Sequence, residues 1–239
     1  IQEVIIAAPS ATRQQMRRLV KLCQATGIKP KMLPAVVICD PELTVGMPPM
    51  ITAGTGMDAF AHCLEAFCSP HYHPMSQGMA LEGMRLVKEY LPRAYADGSD
   101  LEARGHMMSA AAMGATAFQK GLGAIHAISH PIGAVHHTHH GTTNAVVMQP
   151  VLRMNRPAIE DRLAKAAAYL DIVGGFDGFY DFVGKLNAEL NIPANLTALG
   201  VIEPDIDALV ASALQDPSCG GNPIELTKEN VTQLLRDCF

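Results

Sequence analysis

The sequence contains no tryptophan, few charged residues and no long apolar run. Charged residues make up only 17% of the 239 residues, the formal net charge is -5, and no run of five basic residues occurs. Nucleic-acid-binding domains concentrate positive charge, so the composition argues against a nucleic-acid partner. The apolar stretches at residues 4–8 and 145–148 are far shorter than the roughly 20 residues of a membrane-spanning helix. We therefore expect a soluble protein without a membrane partner.

Other common patterns are also missing. The six cysteines show no CxxC spacing, which favours reduced core thiols over a disulfide framework or a thiolate zinc site. No basic n-region or long apolar h-region follows Ile1, so a cytoplasmic protein is expected. Residues 1–50 contain no GGGS-like or GxGxxG element, and this stretch therefore lacks an evident cradle for the phosphates of a dinucleotide.

What is present favours helices. Hydrophobic residues make up 49% of the chain, and thirteen methionines and many alanines suit closely packed helices. Residues 1–42 differ from the rest, because they predict a strand near residues 4–8, a helix over 12–26 and a strand over 35–39. The predicted fold is therefore mainly α, with a short βαβ-like α/β segment (1–42) before an all-helical domain (43–239).

The helical pattern continues from the loop at Pro48-Pro49 to the C-terminus. Apolar periodicity predicts nine helices in this part, at residues 57–68, 75–90, 101–119, 124–132, 143–152, 159–169, 175–190, 205–213 and 228–237.

Histidines are concentrated in one short stretch. Six of the ten fall within fifteen positions, namely His126, His130, His136, His137, His139 and His140. For the three at positions 136, 137 and 139, an exposed polar loop is the favoured interpretation. The alternative is a metal site, because neutral imidazole is the commonest metal ligand in proteins.

Two pairs of potential ligands are spaced four residues apart, Asp58 with His62 and His126 with His130. This spacing places both members on one face of a helix, one turn apart. An isolated Asp-xxx-His pair more often reflects a side-chain hydrogen bond or a charge that complements the helix dipole. The spacing alone therefore leaves both interpretations open.

The surrounding sequence favours the metal site. Residues 52–67 (TAGTGMDAFAHCLEAF), 121–133 (GLGAIHAISHPIG) and 139–145 (HHGTTNA) resemble the two signatures of the iron-containing alcohol dehydrogenases. The resemblance covers roughly residues 35–239 and implies the dehydroquinate synthase-like helical domain of that family. It also implies metal ligands at Asp58, His62, His126 and His140, and it places His130 beside the reactive end of a nicotinamide.

The resemblance further implies a metal-dependent oxidoreductase that transfers hydride between a small primary alcohol or aldehyde and NAD or NADP. It implies Fe(II), whereas the mixed nitrogen and oxygen donors also suit Zn(II), Co(II) or Mn(II). His130 is the predicted relay for the alcohol proton, and its alternative role is a helix-end residue before Pro131. Apolar surface left by a missing domain predicts a homo-oligomer.

The first residues depart from this pattern. Residues 1–34 loosely resemble part of a sugar-nucleotide dehydratase or epimerase of polysaccharide biosynthesis, so a truncated or chimeric chain is expected. A non-catalytic helical metal-binding module is therefore an alternative function. A 2-His-1-carboxylate oxygenase is less favoured, because a third histidine ligand leaves fewer open positions for oxygen.

Two smaller expectations concern neighbours of the predicted ligands. Glu65 lies seven residues after Asp58 on the same predicted helix face. A solvated surface position is favoured for Glu65, and support of a ligand is the alternative. Glycines near the predicted ligands either permit close backbone approach or form turns, at positions 54, 56, 121, 123, 133 and 141.

Overall fold

The structure, a computed structural model, describes residues 3–6, 29–32, 39–202 and 205–239. The chain forms two units, residues 1–39 and residues 40–239. In the first unit, β1 (Glu3–Ile6) pairs in parallel with β2 (Lys29–Met32). Parallel pairing requires a crossover connection, in keeping with a βαβ-like segment.

The strand β2 was not predicted from the sequence. The predicted helix at residues 12–26 and the predicted strand at 35–39, apart from Cys39, lie outside the described residues. Cys39 itself is exposed, with no regular secondary structure.

The described part of the second unit contains eight α-helices. They are α1 (Pro49–Cys68), α2 (Pro74–Ala96), α3 (Leu101–Ala117), α4 (Ala124–His136), α5 (His140–Tyr169), α6 (Gly175–Glu189), α7 (Ile206–Ala213) and α8 (Lys228–Asp237). The expectation of a mainly helical protein is confirmed. None of the described helices combines the length and the apolar character that a bilayer crossing requires.

Helix α1 forms the centre of this unit and packs against α2, α3 and α5. Pro49 occupies its first turn, where the missing backbone N–H of proline carries no penalty. The helix therefore begins eight residues before the predicted start at Met57. Gly54 and Gly56, expected near a helix end, lie inside the helix and are buried against neighbouring helices.

The C-terminus of α1 is fixed by two cations from other elements. The Lys120 ammonium donates to the carbonyl oxygens of Ala66, Phe67 and Ser69 at 2.7–3.1 Å. The Arg162 guanidinium donates to Phe67, Cys68 and Ser69. Positive charge at this end complements the helix dipole and satisfies carbonyls that the helix itself leaves free.

The prediction of two separate helices at residues 143–152 and 159–169 is wrong. Both ranges lie within α5, which is one continuous helix of 30 residues. Pro150 and Pro157 lie inside it, and Pro157 falls in the gap between the two predicted helices. Each proline removes a backbone hydrogen bond. Buried Val151, Asn155 and Ile159 nevertheless continue one helix face across both prolines. Packing of that face outweighs the local preference to break.

Candidate metal centre

Three helices carry the residues that the sequence singled out. Asp58 and His62 lie one turn apart on α1, His126 and His130 lie one turn apart on α4, and His140 is the first residue of α5. We call Asp58, His62, His126 and His140 the Asp-His cluster. Its first and last members, Asp58 and His140, are 82 positions apart in the sequence, so their meeting depends on how the three helices pack.

Two glycines let α1 and α5 approach closely beside this cluster. A Cβ atom added at Gly141 would collide with the backbone carbonyl of Gly54 and lie 3.0 Å from the Cβ of Asp58. Only glycine permits this approach. The expectation of close backbone contact holds at Gly54 and Gly141, whereas Gly121, with a φ of +132°, is a turn residue.

The donor atoms of Asp58, His126 and His140 converge, all within 4.8 Å of one another. The Oδ1 atom of Asp58 lies 3.3 Å from His140 Nε2 and 3.6 Å from His126 Nε2. Ligands about 2.0–2.1 Å from an ion at tetrahedral angles lie roughly 3.4 Å apart. The two separations from Asp58 Oδ1 are close to this value.

His62 lies at the margin of this group. Its Nε2 atom is 3.9 Å from Asp58 Oδ1, and its ring stacks on the His126 ring at a centroid distance of 4.8 Å. The Phe118 ring centroid lies 5.2 Å from that of His62. His62 thus lies at the edge of the Asp-His cluster and is not one of its three converging donors.

Asn144, which the sequence analysis missed, lies at the middle of the cluster. Its side-chain Nδ2 is 2.7 Å from Asp58 Oδ1, 3.1 Å from His140 Nε2 and 3.3 Å from His126 Nε2. Its Oδ1 atom is buried and has no hydrogen-bond partner. The sequence signals were its place in the signature at residues 139–145 and its position one helical turn after His140.

Glu65 corrects an expectation, because it is buried rather than solvated, with 6% of its surface exposed. Its Oε2 atom lies 2.6 Å from His126 Nδ1, and its Oε1 atom accepts the backbone N–H of Ile125 at 2.6 Å. Its i+7 position places it two turns from Asp58 on the face of α1 that points toward α4. The sequence of α1 alone does not indicate that Glu65 is buried, because the residues that contact its carboxylate belong to α4.

The electrostatics of the cluster favour positive charge at its centre. Burial raises the pKa of Asp58, but contacts with His126 and His140 outweigh burial and hold that pKa well below its usual range. Burial lowers the pKa of His126, yet Asp58 and Glu65 outweigh it and raise that pKa to about 9. Burial lowers the pKa of His62, and attraction to Asp58 only partly offsets this.

His130 lies beside the cluster and faces solvent, with 43% of its side chain exposed. Its ring stacks on the His140 ring at 5.3 Å. Its Nδ1 atom is 2.7 Å from Asp216 Oδ2. Asp216, a second residue that the sequence analysis did not single out, also accepts the backbone N–H of Ser218. The Asp216 contact leaves the Nε2 atom of His130 free.

The remaining clustered histidines serve the ends of helices. His136 is the last residue of α4, and His137 ends that helix with a φ of +55°. His139 is the N-cap of α5 and accepts the backbone N–H of Thr142. His137 and His139 are exposed loop residues, as expected, whereas His136 is half-buried and helical.

Comparison with known proteins identifies the family. The sequence profile described as "Fe-containing alcohol dehydrogenase family, C-terminal" matches residues 52–239. The chain is 41% identical over 213 residues to 4-hydroxybutyrate dehydrogenase of Cupriavidus necator, an alignment covering 85% of this chain and 56% of that protein. It is 36% identical over 220 residues to NAD-dependent methanol dehydrogenase of Bacillus methanolicus, covering 89% and 58%.

Solved structures agree with the sequence comparison. The fold superposes on the crystal structure of a 1,3-propanediol oxidoreductase with a TM-score of 0.80 at 30% identity, covering 89% of this chain and 56% of that one. The chain thus spans little more than half the length of the relatives it matches. The matched part includes every member of the Asp-His cluster, and this chain belongs to the iron-containing alcohol dehydrogenase family.

Proposed function

We propose that this chain is the metal-binding part of an NAD(P)-dependent alcohol dehydrogenase, and that Asp58, His62, His126 and His140 bind one divalent ion. The observation that carries the proposal is the convergence of the Asp58, His126 and His140 donor atoms within 4.8 Å. The family description names iron, which supports Fe(II). Three imidazoles and a carboxylate also suit Zn(II).

The residues present fit such an ion. Asp58 Oδ1, His126 Nε2 and His140 Nε2 all point at Asn144 Nδ2, which carries only two hydrogens for three acceptors. At least one acceptor therefore needs a proton or a cation. A divalent ion satisfies all of these lone pairs together, and the orphaned Oδ1 of Asn144 marks a side chain whose partners are incomplete without it.

Each part of the cluster would contribute differently to the chemistry. A bound divalent ion supplies Lewis acidity, which stabilises an alkoxide or polarises a carbonyl. Asp58 supplies the negative charge that attracts the ion, and buried His126 keeps water from one side. Exposed His130 and His140 mark the side from which a small alcohol or aldehyde enters.

We extend the proposal to His130 as the group that relays the alcohol proton. Asp216 holds the Nδ1 side of the ring and thereby orients the Nε2 atom, which accepts and releases the proton. Exposure of the ring connects this atom to solvent. Names of relatives support the substrate class, since one acts on 4-hydroxybutyrate and another on methanol with NAD.

The domain assignment belongs to the same proposal. In this proposal residues 43–239 hold the metal, and residues 1–42 are the α/β segment that the sequence predicts. The homo-oligomeric state and the cytoplasmic location remain predictions from sequence.

A non-catalytic metal-binding module is the second candidate, because the chain spans little more than half of its relatives. NADH binding by the chain, followed by fluorescence, separates the two functions. Binding together with reduction of a small aldehyde supports the dehydrogenase. Metal binding without NADH binding supports the module.

Metal content per chain, measured by mass spectrometry after anaerobic reconstitution with Fe(II), tests the metal site. We expect about one ion per chain in the wild type and none retained in His140→Ala. This variant is chosen because 41% of the His140 side chain is exposed, so the fold tolerates the change. His137→Ala, a neighbouring exposed histidine outside the cluster, is the matched control and keeps its ion. An ion retained in His140→Ala contradicts the ligand assignment.

A further inference from the structure

We propose that Glu65 is a positioning residue that orients the metal site by fixing both the start of α4 and the ring of His126. The proposal rests on the metal site proposed above. Glu65 does not belong to the Asp-His cluster, and its carboxylate acts on the cluster only through His126 and the α4 backbone.

Helix α4 begins without an N-cap side chain of its own. Its N-cap residue is Gly123, so no side chain there accepts the free backbone N–H groups of the first turn. Two residues from distant segments supply the acceptors instead. Glu65 Oε1 accepts the Ile125 N–H at 2.6 Å, and Asn222 Oδ1 accepts the Ala124 N–H at 3.1 Å.

Gly123 leaves the space that these acceptors occupy. A Cβ atom at this position would lie 2.9 Å from Asn222 Oδ1 and 3.1 Å from Glu65 Oε1. A residue with its own capping side chain is therefore excluded there. A carboxylate at a helix N-terminus is also favoured by the helix dipole. Glu65 thus replaces the missing local cap.

Glu65 also contacts the ring of His126 and orients it. Glu65 Oε2 lies 2.6 Å from His126 Nδ1, and an ionised carboxylate only accepts hydrogen bonds, so the Nδ1–H donates to it. The opposite atom, Nε2, then faces Asp58 Oδ1 at 3.6 Å with its lone pair available for an ion. Partners of this kind fix the tautomer and ring orientation of metal-binding histidines.

The burial of the pair makes this arrangement specific. Glu65 is 6% exposed and His126 is 1% exposed, and no Lys or Arg side chain of the described residues forms an ion pair with Glu65. A buried carboxylate requires donors. Among the described residues, its hydrogen-bond donors are the Ile125 N–H and the His126 ring. Both belong to the segment that delivers the ligand.

Glu65→Gln tests the proposal, because it keeps the shape but removes one acceptor. The amide of Gln cannot accept from both Ile125 N–H and His126 Nδ1–H, so the ring loses its orientation or its tautomer. We expect the dissociation constant for Zn(II), measured by competition with a chromophoric chelator, to rise about 10–100-fold. An unchanged dissociation constant in the folded variant overturns the proposal.

Asn222→Ala is the matched control, since it removes a hydrogen bond from the same helix start without contacting His126. We expect lower thermal stability in both variants, but a much smaller change in Zn(II) affinity in Asn222→Ala. Equal losses of affinity would mean that only the helix cap matters, and would overturn the role of Glu65 on the ring.

Nitrogen-15 NMR of Zn(II)-loaded wild-type protein gives a test that needs no variant. We expect a proton on His126 Nδ1 and the ion on Nε2, and the reverse assignment overturns the proposal. If the wild type binds no Zn(II), the proposed metal site fails. Hydrogen exchange of the Ile125 amide in metal-free protein still tests Glu65. We expect exchange at least about tenfold faster in Glu65→Gln, and unchanged exchange contradicts the capping role.

Discussion

The two halves of the proposed metal site differ in burial. His126 is 1% exposed and is held by the buried carboxylate of Glu65, whereas the side chains of His130 and His140 are 43% and 41% exposed. The buried half is fixed by contacts within the protein. The exposed half is the side that solvent reaches. The proposed site therefore combines a buried side with an open one, and catalytic metal sites keep an open position.

The largest expected effect is a difference in unfolding free energy between two single variants, each of which removes a histidine from one half of the site. His126→Ala leaves the Glu65 carboxylate buried and without its imidazole, and breaking such a pair costs about 3–5 kcal/mol. His140→Ala removes an exposed ring, and we expect a loss of about 1 kcal/mol or less. Denaturant unfolding of the metal-free proteins measures both. Equal losses of unfolding free energy would show that the two halves do not differ in their contribution to stability.

The second effect is the pH dependence of the unfolding free energy that the buried His126 confers. The pKa of His126 is raised from 6.5 to about 9, so its protonated form stabilises the metal-free fold. This contribution is fully present below pH 6.5 and is lost as the pH rises toward 9, to a total of up to about 3 kcal/mol. Unfolding free energies between pH 6.5 and 9.5 measure it. His126→Ala should remove this dependence, and a wild-type stability that rises over this range contradicts the account.

The smallest expected effect tests how the exposed half is placed against α1. In Gly141→Ala, the added methyl group collides with the carbonyl of Gly54, and overpacking of this kind costs about 1–3 kcal/mol. The same shift moves His140 away from Asp58 and weakens metal binding. Gly78→Ala is the control, because apart from its chain neighbours and its own helix backbone nothing lies within 4 Å of the added Cβ. Wild-type stability and affinity in Gly141→Ala would show that the close approach is not required.

The sequence predicted the three residues whose donor atoms converge in the structure, because ligands four residues apart and the family signatures are local patterns. The signatures placed Asp58, His126 and His140 together before any helix packing was known. Local patterns failed where tertiary contacts decide. Burial of Glu65 depends on α4, whose N-terminus reaches it from 60 residues away, and nothing near Glu65 in the sequence indicates that contact.

Asn144 and the length of α5 show the same limit. Asn144 lies one turn after His140, but its position among three ligand atoms depends on α1 and α4 as much as on α5. The sequence predicted two helices, at residues 143–152 and 159–169, whereas core packing maintains one helix across Pro157. Propensity describes a residue in isolation, whereas these positions are determined by what packs against them.

Anomalous diffraction from crystals of the chain reconstituted with Fe(II) tests the central claim most directly. The account predicts one iron peak within about 2.0–2.2 Å of Asp58 Oδ1 and of the Nε2 atoms of His126 and His140, with His62 drawn in as the fourth ligand. A peak bound to other residues, or no peak in fully reconstituted crystals, would contradict the assignment of this cluster as the metal site.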